Sequence, residues 1–398
     1  MVLAVLAATM VAQLISTMSI AIFPVIAPRL AMEMGIAPAM IGYQVSLIFG
    51  AATLASTVMG SAVVRWGACR ATQISLALCV AAMGLALISS LWALALTSIL
   101  VGVSMALLTP ASGHLLFRFS PPKNRNFVFS IKQSGVPLGW MVMALVAPVI
   151  TIAFGWRWAV AGVLVVTLAA ILALQHVRSR WDDDRKPQAA VWASPAAGLK
   201  LAWRYPVLRW LAAASCALAF TQLCLGTFLV TMLVEEAGYS LVAAGVMLAL
   251  VQAAGGAGRV ASGWLGDRTG NTLGVLKIMA MTTTGCCIVT AFLDPAWPTV
   301  LVALLFLVFG TVAVGWNGLF LAEVARCSPP GMVSIATSGA MTWNFGGILL
   351  GPALFATVYA LSGSYTLTYG GLSAIPFLGF VALTLCGRAA RRSARVGE

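Results

Sequence analysis

Apolar residues run along this chain in long, nearly unbroken stretches, and polar positions gather in short clusters between them. A helix needs about 20 mostly apolar residues to cross a bilayer, and in lipid its backbone groups must bond within the helix itself. Twelve stretches meet that length, at roughly 3–28, 39–64, 72–90, 92–117, 127–153, 157–176, 207–233, 241–264, 274–293, 296–326, 333–361 and 366–387. The first has no basic start and is too long for the apolar part of a signal peptide, so it reads as a span. The longest polar interruption, 177–206, leaves six stretches on either side. The expected architecture is all-α: a six-helix bundle at 1–176, a cytoplasmic linker at 177–206, a second six-helix bundle at 207–387 and a basic tail at 388–398.

Composition narrows the class. Of the 398 residues, 61% are hydrophobic and 8% are charged, against about 25% charged in a soluble domain. So few charges cannot cover a water-exposed surface, which excludes a soluble enzyme, a nucleic-acid binder and a disordered chain. The net charge of +13 follows from placement. With both termini in the cytoplasm, nineteen of the 23 basic residues fall on the cytoplasmic side, while Arg29 and Arg157 fall outside and Lys132 and Arg259 fall within spans. Such a bias is the orientation signal of multi-pass proteins, and one missed span would reverse every later loop. The expectation is a monomer in a bacterial inner membrane, with the lipid bilayer and a small-molecule substrate as its partners. A short amphipathic helix at 197–206 on the inner surface and a plain solvated linker are both compatible with the central segment.

Metal and enzyme chemistry find little support. The eight cysteines include no C-x-x-C pair, and the only histidines are His114 and His176, so no metal site or cofactor is expected. Asp182, Asp183 and Asp184 form a single acidic cluster, where metal-dependent chemistry at a cavity mouth would want two. They read as a solvated charge run.

The halves repeat. Ser130-Ile-Lys-Gln-Ser-Gly135 matches Ser334-Ile-Ala-Thr-Ser-Gly339, and Pro148 meets Pro352 at the same offset of 204. Ser120-Pro-Pro122 matches Ser328-Pro-Pro330, and Gly60 and Gly67 match Gly263 and Gly270 at an offset of 203. Together these pair span two with eight and five with eleven, a parallel repeat of the kind transporters carry.

The loop after span eight, Gly263-Trp-Leu-Gly-Asp-Arg-Thr-Gly270, resembles the G-x-L-x-D-R-x-G motif of the major facilitator superfamily. The likeness extends over the whole chain through its length, span count, central loop and repeat. It implies two bundles that rock in alternating access, with this loop latching the cytoplasmic side of the outward-open state. Gly263, Gly266, Asp267, Arg268 and Gly270 are then gating residues, with Arg65, Glu323 and Arg326 beside them. The first-half copy keeps Gly60, Arg65 and Gly67 but has Val64 at the aspartate position, which shifts the gating expected of this loop to the second half.

Ionisable groups within spans cost about 2.5–3.5 kcal/mol each on insertion scales, so they mark candidate sites. Gly258-Arg259, four residues before the loop motif, resembles span eight of monocarboxylate and oxalate:formate transporters, where the resemblance implies that the Arg binds the substrate carboxylate. Arg259 snorkelling to the cytoplasmic face is the alternative. Lys132 on span five offers a second positive point. Those relatives tend to carry an Asp one turn before the Arg; Gly255 stands there. Glu323, three residues before Arg326, reads first as a local ion pair and otherwise as a proton-coupling group. His114 on span four has the same two readings, packing or coupling. Uncharged polar residues complete the expected substrate site: Gln13, Tyr43, Gln133, Gln222, the Trp316-Asn317 pair and the Trp343-Asn344 pair. Gly135, Gly139, Gly347 and Gly351 suit close helix approach. The chain reads as a secondary transporter for a small organic anion. Efflux of amphipathic compounds and permeation of a small inorganic anion remain open.

Overall fold

The computed structural model describes residues 2–120, 128, 131–185, 188, 203–329 and 333–396, and all regular structure among them is helical. Twelve stretches are long and apolar enough to cross a membrane. The chain divides into two units, Met1–Ser194 and Pro195–Glu398. Parts of the paired Ser-Pro-Pro loops and most of segment 197–206 lie outside the described residues.

The first unit holds α1 (Val2–Met34), α2 (Ile41–Trp66), α3 (Ala68–Ala86), α4 (Leu91–Phe119), α5 (Gly135–Phe154) and α6 (Trp156–Trp181). In it α2 packs on α4, α1 on α5 and α3 on α6. The second unit holds α7 (Pro206–Glu235), α8 (Leu241–Thr269), α9 (Thr272–Thr290), α10 (Thr299–Gly315), α11 (Asn317–Cys327), α12 (Val333–Ser362), α13 (Tyr365–Leu372) and α14 (Ala374–Val396). There α8 packs on α10, α7 on α12 and α9 on α14. These pairings follow the sequence repeat span for span.

Three spans differ from their single-helix expectation. The fifth is interrupted at Ser134, between the helical turn 131–133 and α5. The tenth breaks at Trp316 into α10 and α11, and the twelfth breaks at Ser373 into α13 and α14. Helix α14 runs on to Val396, through the stretch expected to be a tail, and α6 runs five residues past 176.

Small residues set the closest helix contacts. A methyl group at Gly139 would lie 2.7 Å from Thr17 Cβ and 2.9 Å from the Leu14 carbonyl, so α5 lies against α1 almost backbone to backbone. At Gly347 a methyl would overlap the carbonyl oxygen of Cys216, which fixes the matching contact of α12 with α7. Lipid supplies no hydrophobic force between helices, so van der Waals contact at such stripes carries much of the packing.

A clamp repeats as well, and no sequence motif announced it. Glu33 at the end of α1 accepts from Trp156 Nε1 at 2.6 Å and pairs with Arg157 at 2.6 Å, at the start of α6. Glu236, just beyond α7, accepts the backbone N–H groups of Tyr365 and Thr366 at the start of α13. The two glutamates keep the 203-residue offset of the loop glycines. In each unit an acid at the end of the first span holds the N-terminus of the sixth, where the helix dipole favours negative charge.

Candidate functional site

In the first unit the candidate site centres on Lys132, in the helical turn 131–133 that leads into α5. Of the described Lys and Arg residues only Lys132 is buried, at 5% exposure. Its ammonium donates to Gln13 Oε1 at 2.7 Å and to Gln133 Oε1 at 3.2 Å. No described carboxylate forms an ion pair with it. The neighbouring glycine sets the geometry. A methyl at Gly135 would lie 3.1 Å from the Met10 carbonyl and 3.3 Å from Gln13 Cβ, so bare backbone lets α1 bring Gln13 up to the lysine. The result is a buried cation solvated by two amide oxygens.

In the second unit the site is built on the break in span ten. Trp316 is fully buried, and its Nε1 donates to Gln222 Oε1 at 3.1 Å. Asn317 Nδ2 donates to the same oxygen at 3.1 Å. At the break the carbonyl oxygens turn to side chains: Val314 accepts from Arg259 Nε at 3.2 Å and Asn317 Nδ2 at 3.4 Å, and Gly315 accepts from Ser262 Oγ at 3.1 Å. Irregular backbone at membrane depth is tolerated where protein groups satisfy it, and here Arg259 and Ser262 of α8 and Asn317 of α11 supply those groups.

Arg259 is thus half-buried and held by one nitrogen against the broken helix, with no described carboxylate paired to it. The missing acid at Gly255 now has a physical reason. A Cβ there would lie 2.5 Å from Val314 Cβ, and at Gly258 it would overlap the Thr311 carbonyl. Helices α8 and α10 are too close for an aspartate at 255.

The remaining sequence candidates scatter. Tyr43 is exposed in the first turn of α2 and lines an apolar cavity of about 230 Å3 with Phe23, Leu47 and Leu94. Trp343 stacks on Trp203 at 6.0 Å rather than joining Trp316. Asn344 is buried with its Nδ2 unpartnered among the described residues. Glu323 is buried and paired with Arg326, which is 65% exposed. Of the loop motif, Gly270 closes α8 in a left-handed turn (φ +60°), and Gly266 faces the tip of the Leu319 side chain, which a Cβ there would displace. Gly263 has open space about it, Arg268 lies over the Trp264 ring at 5.0 Å, and the Asp267 side chain is outside the described residues. Arg65 is exposed at the end of α2.

One expectation needs correction: the acidic run is not simply solvated, and one of its acids meets His114. Asp182 is 6% exposed, and its two carboxylate oxygens accept the backbone N–H groups of Cys69 at 2.6 Å and Arg70 at 2.9 Å. Asp184 Oδ2 meets His114 Nε2 at 2.7 Å, while Asp183 and Asp184 both pair with Arg118 at the end of α4. Burial pushes the Asp182 carboxyl above its ordinary value, against the pull of those backbone bonds and of Arg178. Burial acts on Asp184 too, but there the His114 hydrogen bond, with the His114 and Arg118 charges, prevails and holds its carboxyl below the usual range. The run ties the ends of α3, α4 and α6 together.

Twelve apolar spans, arranged as two units with matching helix pairings, define a multi-pass integral membrane protein. The family model of the Major Facilitator Superfamily matches residues 9–352, and the chain belongs to that superfamily. It has the fold of that superfamily. Two uncharacterized MFS-type transporters of Mycobacterium tuberculosis, from strains CDC 1551 / Oshkosh and ATCC 25618 / H37Rv, are each 29% identical over 228 residues. That match covers 55% of this chain and 48% of each relative, so it spans about half the length of these curated proteins. Among solved structures, the peptide transporter POT in complex with sulfate superposes with a TM-score of 0.78 at 14% identity, over 97% of this chain and 95% of that one. A bacterial homolog of the human lysosomal transporter Spinster, inward-facing and occupied, gives 0.70 at 16% identity, over 97% and 96%. At such identities the likeness establishes the fold alone.

Proposed function

We propose that this protein transports a small organic anion, a mono- or dicarboxylate, with Lys132 of the first unit and Arg259 of the second as separate candidate carboxylate contacts. The observation that supports it is Lys132, buried on amide oxygens with no described carboxylate beside it. An uncompensated buried charge costs several kcal/mol, and a transporter that binds an anion recovers that cost when loaded. Arg259 contributes a guanidinium with one nitrogen anchored and the rest of its fork available for a carboxylate. Gln222, Trp316 and Asn317 provide directional polar groups for the remainder of the substrate.

The coupling follows from the same pairings. Glu323 is engaged by Arg326 and His114 by Asp184, so in this reading the proton rides on the substrate or exchange replaces it. The orientation is both termini in the cytoplasm of a bacterial inner membrane, with the Gly263–Gly270 loop, Arg65, Glu323 and Arg326 as the gate.

Thermal shift of the purified full-length protein separates the readings, because a ligand of the folded state stabilises it by mass action. Small carboxylates are expected to raise the midpoint of the wild type, and Arg259→Gln to remove the shift. Lipophilic cations raising it instead, unchanged by Arg259→Gln, would return that arginine to the broken helix and favour efflux. Stabilisation by small inorganic anions alone would keep the cations and change the cargo.

A further inference from the structure

A second cationic feature of the first unit is built from different residues. Arg65 and Trp66 end α2, Arg70 lies in the first turn of α3, Arg178 in the last turn of α6, and Arg185 follows the acidic run. With Ile74 they line one cavity of about 430 Å3. Four guanidinium groups therefore border a single space, and like charges so placed repel one another unless an anion sits among them.

The neighbouring acids do not neutralise it. Asp182 approaches Arg178 only at 3.9 Å, and both its oxygens are committed to the N-terminus of α3. Asp183 and Asp184 are committed to Arg118 and His114. Arg70 makes one long hydrogen bond, to Gln73 Oε1 at 3.4 Å. Among the described residues Arg65, Arg70 and Arg185 have no ion pair.

Location and shape indicate the ligand. The cavity lies where three spans end, so it opens at a membrane surface, and the basic residues around it assign that surface to the cytoplasm. Trp66 and Ile74 give it an apolar side, and Trp prefers the headgroup level. Guanidinium forks match phosphate oxygens in pairs, and basic pockets between spans on this side suit phosphate headgroups. The volume falls within the range of small-ligand sites. We propose that this cavity binds a phosphate-bearing anion at the membrane surface, either the headgroup of an anionic phospholipid or a soluble phosphate.

Native mass spectrometry of the full-length protein in neutral detergent tests this, with dioctanoyl phosphatidylglycerol, dioctanoyl phosphatidylcholine and inorganic phosphate as probes. Phosphatidylglycerol is expected to bind in preference to phosphatidylcholine of the same tails. The double variant Arg70→Gln/Arg185→Gln is expected to weaken it about thirtyfold, at roughly tenfold per 1.4 kcal/mol and about one kcal/mol per basic residue. Inorganic phosphate binding with the same arginine dependence would name a soluble phosphate as the source. Equal binding of the two lipids with no arginine-dependent phosphate binding would overturn the proposal, as would wild-type affinity in the double variant. The α3 cap uses the backbone of Arg70 and survives its substitution; where the double variant still proves unstable, Arg185→Gln alone carries the comparison.

Discussion

Asp182→Ala is expected to produce the largest loss of stability of any single substitution at the surface ends of the first unit. Helix α3 follows Gly67, an N-cap with no side chain to offer, so the N–H of Cys69 in its first turn depends on a residue 113 positions away. Removing a charged acceptor from buried donors costs about 1.5–3 kcal/mol per hydrogen bond, and here two go together. A total of about 2–4 kcal/mol is expected, since water re-solvates part of the exposed helix end. Asp182→Asn keeps one acceptor oxygen and sheds the burial cost of a charge, so its loss should be less than half as large. Gly67 gives a second handle. Its φ is +92°, and a methyl there would strike the Asp182 carboxyl group, so Gly67→Ala displaces the same cap. The double substitution should cost little more than the larger single one. Thermal unfolding followed by tryptophan fluorescence, with both single variants and the pair, checks this; full additivity would show that Asp182 acts elsewhere.

Lys132→Gln is expected to separate stability from transport. Burying an ammonium on two amide oxygens costs the fold several kcal/mol, so a neutral side chain of similar length should leave the protein as stable as the wild type or more so. Transport of the organic anion should fall sharply. Truncating one partner of a buried charge pair costs about 2–5 kcal/mol, which at tenfold per 1.4 kcal/mol predicts a loss of about thirtyfold or more in apparent affinity. A residue kept for packing would show the reverse, with lower stability and unchanged uptake. Midpoint and uptake are therefore measured on the same preparation.

How much of this was visible in the sequence depends on the range of the interaction. The twelve spans and the repeat were legible because hydropathy and residue offsets are properties of the chain itself. The tight contacts at Gly139 and Gly347 were legible as small-residue stripes, although their partners, Thr17 and Cys216, were not. Trp316 and Asn317 stood out as polar groups in an apolar run. The break between them did not, because it is stabilised by Gln222, Arg259 and Ser262 from other helices. Asp182 shows the limit most clearly. An acidic run beyond a span looks solvated, and only the fold reveals that α3 lacks a local cap. The second unit solves the same problem within the chain: Asn271 caps α9 through Gly274 N–H at 2.9 Å. That contrast, with Val64 standing where the loop motif has its aspartate, was the available signal for a remote acid in the first half.

Lys132 and Arg259 are proposed to serve an organic anion in transit. Counterflow in proteoliposomes addresses this directly, with vesicles loaded with one unlabelled small carboxylate at a time and diluted into a trace of the same labelled compound. The expected result is transient accumulation of label with at least one mono- or dicarboxylate, abolished by Lys132→Gln and by Arg259→Gln. Accumulation of lipophilic cations alone, equal in wild type and both variants, would contradict it.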